Sequence, residues 1–194
     1  CCYRPGVAQD QRPRELAHEL ADYYRSRGVE LMPGLKLSGM ECDDAHCYLS
    51  LENGLSFTVE GVVVGAGAVP NDELAEEAGL EVDNGIVVDG QLSTTGPSIY
   101  AAGDVARFHN PQLGQALRVE HEDNALTMGR MAGRNMAGAE EEYTHLPFFY
   151  SDMFEVGYEA VGILDASAGR VVGSWNGLHE KSVHAYVKDG RVCG

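Results

Sequence analysis

Positive charge is scarce in this chain: 14 Lys and Arg stand against 30 Asp and Glu, a formal net charge of −16. Such a surface repels nucleic acid and anionic membrane, so neither is an expected partner. No apolar run reaches the ~20 residues that span a bilayer as a helix, and no signal-peptide pattern opens the chain. A soluble protein is expected. Cysteine is sparse and scattered, at Cys1, Cys2, Cys42, Cys47 and Cys193. There is no CxxC, and Cys42/Cys47 has no second pair of Cys or His at ligand spacing, so no metal site is expected. The odd count suggests a reducing, cytoplasmic setting, with Cys42 and Cys47 as structural strand residues near a turn. No GxGxxG follows any strand either, so a phosphate-binding loop of that kind is missing.

What is present supports a packed core. Apolar residues make up 44% of the chain, too many for a disordered one. Glycines sit at strand ends and ahead of helices, where nucleotide-binding folds need bare backbone. Leu16, Ala17, Leu20 and Tyr24 have helical spacing within Arg14–Arg27, and Gly28 ends that helix. Strands are predicted at Val29–Met32, Leu35–Cys42, Cys47–Leu51 and Ser56–Val59, with Asn53-Gly54 as a hairpin turn. Val62-Val63-Val64 reads as a parallel strand buried on both faces. Beyond it come a short helix at Asp72–Ala78 and strands at Ile86–Val88 and Ile99–Gly103. A long helix over Val119–Met136 follows, with Leu126, Met128, Met131 and Met136 for packing and Gly129 and Gly133 on one face for close helix packing. After Pro147 the chain turns aromatic and β-rich, with strands at Val161–Leu164, Val171–Trp175 and Val183–Val187. Both ends read as cut, so a fragment is expected.

Two places carry chemistry. The Ile99–Gly103 run ends at Asp104, and ligands of open α/β sheets bind beyond the carboxyl ends of strands. A carboxylate there can accept hydrogen bonds from ligand hydroxyls, and Gly103 lets a ligand approach the backbone. The second place is Arg118-Val119-Glu120-His121-Glu122-Asp123, which opens the long helix. Acids in a first helical turn suit the helix dipole, which would account for an ordinary helix start. The conjunction with Asp104 points further.

The ordered blocks Gly67-x-x-Pro70-Asn71, Tyr100-Ala101-Ala102-Gly103-Asp104, Val119-Glu120-His121-x-x-x-Ala125, Gly129-Arg130-x-Ala132-Gly133-x-Asn135-Met136-x-Gly138-Ala139 and Tyr150-Ser151-Asp152, followed by Val156-Gly157-Tyr158-Glu159-Ala160-Val161-Gly162, carry a resemblance. Across nearly the whole chain it resembles apoptosis-inducing-factor-like, FAD-dependent pyridine nucleotide oxidoreductases, related to the ferredoxin reductases of oxygenase systems. The resemblance implies an α/β protein: part of a Rossmann-like two-domain FAD/NAD(P)-binding fold plus the start of a C-terminal α+β domain. It implies residues 1–70 as the second half of an NAD(P)H-binding domain and 71–146 as the C-terminal segment of an FAD-binding domain. Residues 147–194 would be part of a C-terminal interface domain, in a family that commonly forms homodimers.

The implied cofactors are FAD and NAD(P)H. Asp104 would bind the ribityl and pyrophosphate part of FAD, with His121 and Glu122 beside the flavin ring. Glu120 would bind the nicotinamide carboxamide, with His121 alongside and Gly67 lining the nicotinamide side. Tyr150 stands where the family usually has Trp near the flavin. No catalytic acid or base is implied, because hydride transfer needs stacked rings and not a proton relay. Arg4 replaces an acid that usually binds the adenine ribose, which would favour the 2′-phosphate of NADPH. The two phosphate loops would lie upstream. The implied activity is hydride transfer from NAD(P)H to FAD and electron transfer to an unidentified acceptor; the acidic charge argues against an acidic ferredoxin docking on this half. Two alternatives stay open: an NADH-responsive redox switch with little turnover, and a pyridine nucleotide-disulfide reductase with paired cysteines upstream.

Overall fold

A computed structural model describes residues 14–165, 169–175 and 181–194. The chain divides into two units, Cys1–Ala68 and Val69–Gly194.

In the first unit, helix α1 (Arg14–Ser26) is amphipathic and buries Leu20. It stops because Gly28 adopts a left-handed φ of +82°, with Gly28 N–H donating to Arg25 O (3.0 Å) and Val29 N–H to Tyr24 O (3.1 Å). That paired arrangement satisfies the last-turn carbonyls and favours glycine at the turning position. The strand expected at Val29–Met32 does not form: the chain leaves the cap in irregular conformation, and no strand among the described residues pairs with it.

Strands β1 (Leu37–Cys42), β2 (Cys47–Leu51) and β3 (Ser56–Val59) make an antiparallel meander in that spatial order. Central β2 buries Leu49 and Leu51 on one face, the period-2 pattern of a half-buried strand. Asn53 makes the β2–β3 turn, its Oδ1 accepting Leu55 N–H at 3.1 Å, while Gly54 takes φ +86°. At the other turn, Asp43 accepts N–H bonds from Ala45 and His46, both at 2.8 Å, and the Tyr48 hydroxyl at 3.0 Å. These bonds hold its carboxyl below the usual range, the two backbone N–H groups contributing most.

Cys42 and Cys47 face each other across the ladder and form a disulfide. They are strand residues beside a turn, as expected, but they are paired. The scatter of cysteines along the chain did not show this, because the register of β1 on β2 brings them together.

Val62–Val64 is a second difference. It forms no strand, and Val63 is fully exposed at 101%. A parallel strand becomes interior only with neighbours on both edges and layers on both faces. Among the described residues no strand pairs with it.

In the second unit, α2 (Glu73–Glu77) ends at Gly79. Strands β4 (Ile86–Val88), β5 (Ala106–Asn110) and β6 (Gln115–Arg118) form one sheet, parallel between β4 and β5 and antiparallel between β5 and β6. The β5–β6 hairpin went unpredicted. Buried Asn110 makes its turn, Oδ1 accepting Gln112 and Leu113 N–H while Nδ2 donates to His145 O at 2.8 Å.

The expected Ile99–Gly103 strand reduces to one bridge, Tyr100 to Ser93, before a 3-10 turn at Gly103–Val105. Its apolar run is bounded by left-handed Ser98 (φ 59°) and Gly103 (φ 80°), which leaves no length for a ladder.

Helix α3 (Glu122–Met136) starts three residues later than its expected start, because Val119 sinks into the core and His121 is extended. It buries Asn124, Met128, Ala132 and Asn135, a stripe at helical spacing; Met128 and Met131 pack as expected, but Leu126 and Met136 fall off the stripe and are exposed. Gly129 and Gly133 lie on the opposite, exposed face with nothing within 4 Å of a Cβ position, so they do not serve close packing among the described residues.

The buried stripe packs with Val88, Leu92, Ala106, Phe108 and Tyr143. Tyr143 meets Phe108 edge-on at 5.2 Å. Its hydroxyl bonds Thr127 Oγ1 (2.8 Å) and donates to Asn124 Oδ1 (2.9 Å), so these polar groups enter the core satisfied. Burial pushes the Tyr143 phenol up from its ordinary value.

Antiparallel β7 (Phe148–Met153) and β8 (Val156–Val161) follow, then β9 (Gly169–Trp175), β10 (Lys181–Lys188) and β11 (Arg191–Val192) in the order β11-β10-β9. The strand expected at Val161–Leu164 lies earlier: β8 ends at Val161, and the next stretch is irregular and buries Leu164 beside Ala160 and Tyr186.

Phe108 is almost wholly buried and makes the edge contact with Tyr143. Phe108→Ala should lower unfolding free energy by about 3–5 kcal/mol in denaturant titration, the range for emptying a buried aromatic site. A loss below about 1 kcal/mol would show that this cluster is not the core it resembles.

Candidate functional site

The site is built where the chain turns out of the core at Gly103 and returns into helix α3. Ala102 is extended and Gly103 has φ +80°. A Cβ on Gly103 would stand 3.5 Å from Ala125 Cβ, so the turn lies directly on the first turn of α3. Asp104, at the outside of this turn, is exposed. The approach brings Asp104 to the opening of the helix although 17 residues separate Asp104 from His121 in sequence (121 minus 104).

His121 occupies the N-cap of α3 in extended conformation and gives the helix no side-chain cap bond. Imidazole is not among the side chains favoured at that place. A helix leaves its first four N–H groups without intrahelical partners, and its N-terminus carries about half a positive charge. The arrangement therefore leaves first-turn donors open to an anionic or carbonyl-bearing ligand. The imidazole packs against Phe149 of β7, ring centroids 4.7 Å apart, and Phe149 packs on Tyr158 at 5.7 Å. Its Nδ1 is buried without a hydrogen-bond partner.

Glu120 and Arg118 complete the patch. Arg118 Nη1 lies 2.7 Å from Glu120 Oε1 and donates to Asp104 O at 3.0 Å. In the first turn of α3, Asp123 Oδ2 pairs with His145 Nε2, tying the helix start to the segment that leads into β7. Glu122, the first helical residue, is exposed.

Asp104, Glu120 and His121 are thus brought together, with Glu122 next to them at the helix start. Tyr150, also expected at the site, is not. Tyr150 follows Phe149 on β7, and successive strand residues face opposite ways; it is 62% exposed while Phe149 packs on His121. Gly67 lies in the first unit, exposed, with φ +93°. Arg4 lies outside the described residues. Sequence reasoning passed over Phe149 and Arg118. Phe149 could have been suspected from strand alternation beside Tyr150. Arg118 had no signal beyond its place at the edge of the Glu-His block.

Burial holds the His121 imidazole below its ordinary 6.5, while the Asp104, Glu120 and Asp123 carboxylates pull it upward. The folded protein therefore keeps this ring neutral at neutral pH. The unfolded ring takes up its proton first as pH falls, so the contribution to stability is complete above 6.5 and is lost as pH drops from 6.5 toward the depressed folded value. The melting temperature should fall between about pH 7.5 and pH 5.5, and His121→Gln should flatten part of that fall. An unchanged slope in the variant would assign the pH response to other groups.

Comparison with known proteins gives a consistent set. Residues 3–129 match the family model described as pyridine nucleotide-disulphide oxidoreductase. Residues 132–193 match the one described as apoptosis-inducing factor, mitochondrion-associated, C-term. Over 159 residues the chain is 37% identical to a putative mitochondrial apoptosis-inducing factor 1 of Drosophila melanogaster, covering 80% of this chain and 21% of that protein. Over 143 residues it is 35% identical to putidaredoxin reductase of Pseudomonas putida, covering 72% of this chain and 34% of that protein. A crystal structure of a ferredoxin reductase from Rhodopseudomonas palustris superposes with TM-score 0.87 at 27% identity, over 99% of this chain and 48% of that one. Putidaredoxin reductase in its covalent complex with putidaredoxin gives 0.88 at 28%, over 99% and 47%. The chain spans less than half the length of each of these relatives.

Proposed function

The chain belongs to the pyridine nucleotide-disulphide oxidoreductase family, and on that premise we propose that it is part of a flavoprotein reductase that takes hydride from NAD(P)H onto FAD and passes electrons to an acceptor. The observation that carries this reading is the seating of the Asp104 turn on the uncapped start of α3, which gathers Asp104, Glu120 and His121 on one patch. FAD, when bound, supplies the hydride-accepting ring.

The residues fit that group. Gly103 is buried against Ala125 and turns the chain there, and the Asp104 carboxylate is exposed and able to accept hydroxyl hydrogen bonds from a ribityl chain. The open N–H groups of α3 suit the negative charge that a reduced flavin carries near its pyrimidine edge. His121 is held neutral by burial and braced by Phe149, so it offers a polar surface with no added positive charge. Glu120 keeps one carboxylate oxygen beyond the one paired with Arg118, and it accepts the N–H groups of a nicotinamide carboxamide. Glu122 stands beside the flavin edge in this reading. Gly67 is the proposed nicotinamide contact of the first unit, where positive φ and the lack of a side chain leave room. Tyr150 is left out of the inner group, since its ring faces away from His121.

The reading divides the chain into a nicotinamide-binding part (1–70), a flavin-binding part (71–146) and part of an interface domain (147–194). A homodimer through the last is included. Half-exposed Val161 of β8 and Val183 of β10 support it. Relatives with iron–sulfur carriers in their names support an electron-carrier protein as the acceptor class. The charge of −16 disfavours docking an acidic carrier on this part of the surface.

The full-length protein should purify with bound flavin, and NADH or NADPH should bleach its absorption under anaerobic conditions. Asp104→Ala should weaken FAD retention by roughly tenfold or more, the scale of a lost charge-assisted hydrogen bond. A colourless protein, or a flavin spectrum indifferent to both nucleotides, would end the proposal.

A further inference from the structure

Arg118 is the least exposed charged side chain of the patch, at 12%, and its Nε is buried without a partner. Chains seldom bury a guanidinium that way unless its other contacts matter. One nitrogen, Nη1, reaches both Glu120 Oε1 (2.7 Å) and the backbone oxygen of Asp104 (3.0 Å). The stem crosses Gly85, where a Cβ would stand 2.7 Å from Arg118 Cδ and 2.6 Å from Val105 O. Gly85 has φ +122°, and its N–H donates to Asp72 Oδ2 at 2.9 Å. The Arg118 stem therefore lies directly on the bare backbone of Gly85, where no side chain would fit. Arg118 also faces Arg107 across the β5–β6 ladder, a like-charge pair that costs stability. Arg107 is neutralised separately by Asp83 at 3.0 Å, which leaves Arg118 to Glu120.

We propose that Arg118 is a positioning residue: it locks one carboxylate oxygen of Glu120 and ties it to the Asp104 turn, so that the remaining oxygen is aimed at the nicotinamide carboxamide. This rests on the role given to Glu120 above. Glu120 is 38% exposed on a non-helical stretch. Without the tie it would sample several rotamers, and each bound nucleotide would have to order it. Fixing the carboxylate beforehand lowers the ordering cost of binding. The expected signature is a change in nucleotide affinity that depends on Glu120.

The test uses the full-length, FAD-loaded protein, mixed anaerobically with NADH in a stopped-flow instrument. It reads the apparent Kd from the saturation of flavin bleaching, with FAD content and melting temperature as controls. Glu120→Gln and Arg118→Gln should each raise Kd by about tenfold, and the double variant should be no worse than either alone, the non-additivity of residues acting as a unit. Arg118→Lys should raise Kd by about threefold in the Glu120 protein and not at all in the Glu120→Gln background. This conservative variant decides the matter if Arg118→Gln fails to fold. A Kd within about twofold of the parent in the Arg118 variants, or an equal loss in both backgrounds, overturns the positioning role. If Glu120→Gln alone leaves Kd unchanged while NADH still bleaches the flavin, the role of Glu120 falls and takes this inference with it. A flavin that NADH never bleaches refutes the wider reading.

Discussion

Everything at the candidate site depends on one close approach, the Gly103 backbone against Ala125 in the first turn of α3. A larger residue at Gly103 would need a left-handed conformation, with its Cβ already in van der Waals contact with Ala125. The seated turn carries Asp104 outward, where its carboxylate reaches the same space as the open helix terminus. The approach therefore sets both the geometry and the local field. It places a carboxylate near a half-buried imidazole without forming an ion pair to it, and burial outweighs the three nearby carboxylates in setting that ring's protonation.

The helix that receives the turn is held by polar groups as much as by apolar ones. Asn124, Thr127 and Tyr143 satisfy one another inside the core, and Asn135 bonds Gln91 O, Glu141 O and Glu141 N–H at the far end of α3. Directional bonds of this kind fix the rotation of a helix about its own axis more tightly than apolar packing does. That rotation decides where the first turn points. The Asp123–His145 pair and the Phe149–His121 contact then link the helix opening to β7. The patch is thus braced from the sheet through Arg118, from the helix through Ala125 and from the β7–β8 hairpin through Phe149.

Part of this was legible in the sequence. The Asp104 and Glu120-His121 blocks were readable because acids and glycines at strand ends and helix starts carry meaning at short range. The Arg118 tie was not, because it joins a strand end to a turn 14 residues earlier. Strand reading failed where it assumed neighbours. Val62–Val64 has the composition of an interior strand, yet no strand pairs with it among the described residues. Ile99–Gly103 has the apolar character of a strand, yet turns close it off on both sides. The β5–β6 hairpin was missed for the opposite reason: its turn is made by a buried asparagine and not by an Asn-Gly pair.

By itself the sequence determined the features that rest on nearest neighbours along the chain. The Gly28 stop of α1, the Asn53-Gly54 turn and the run of β2 all follow from backbone freedom and side-chain period. Tertiary structure alone decided which distant residues meet: Cys42 with Cys47 by strand register, Phe149 rather than Tyr150 on His121 by strand face, and Arg118 with Glu120 and Asp104 by the passage over Gly85. The reason is physical. Local preference comes from torsions and contacts within a few residues, whereas a meeting across many residues is set by the path of the whole chain, of which a sequence window sees only a part.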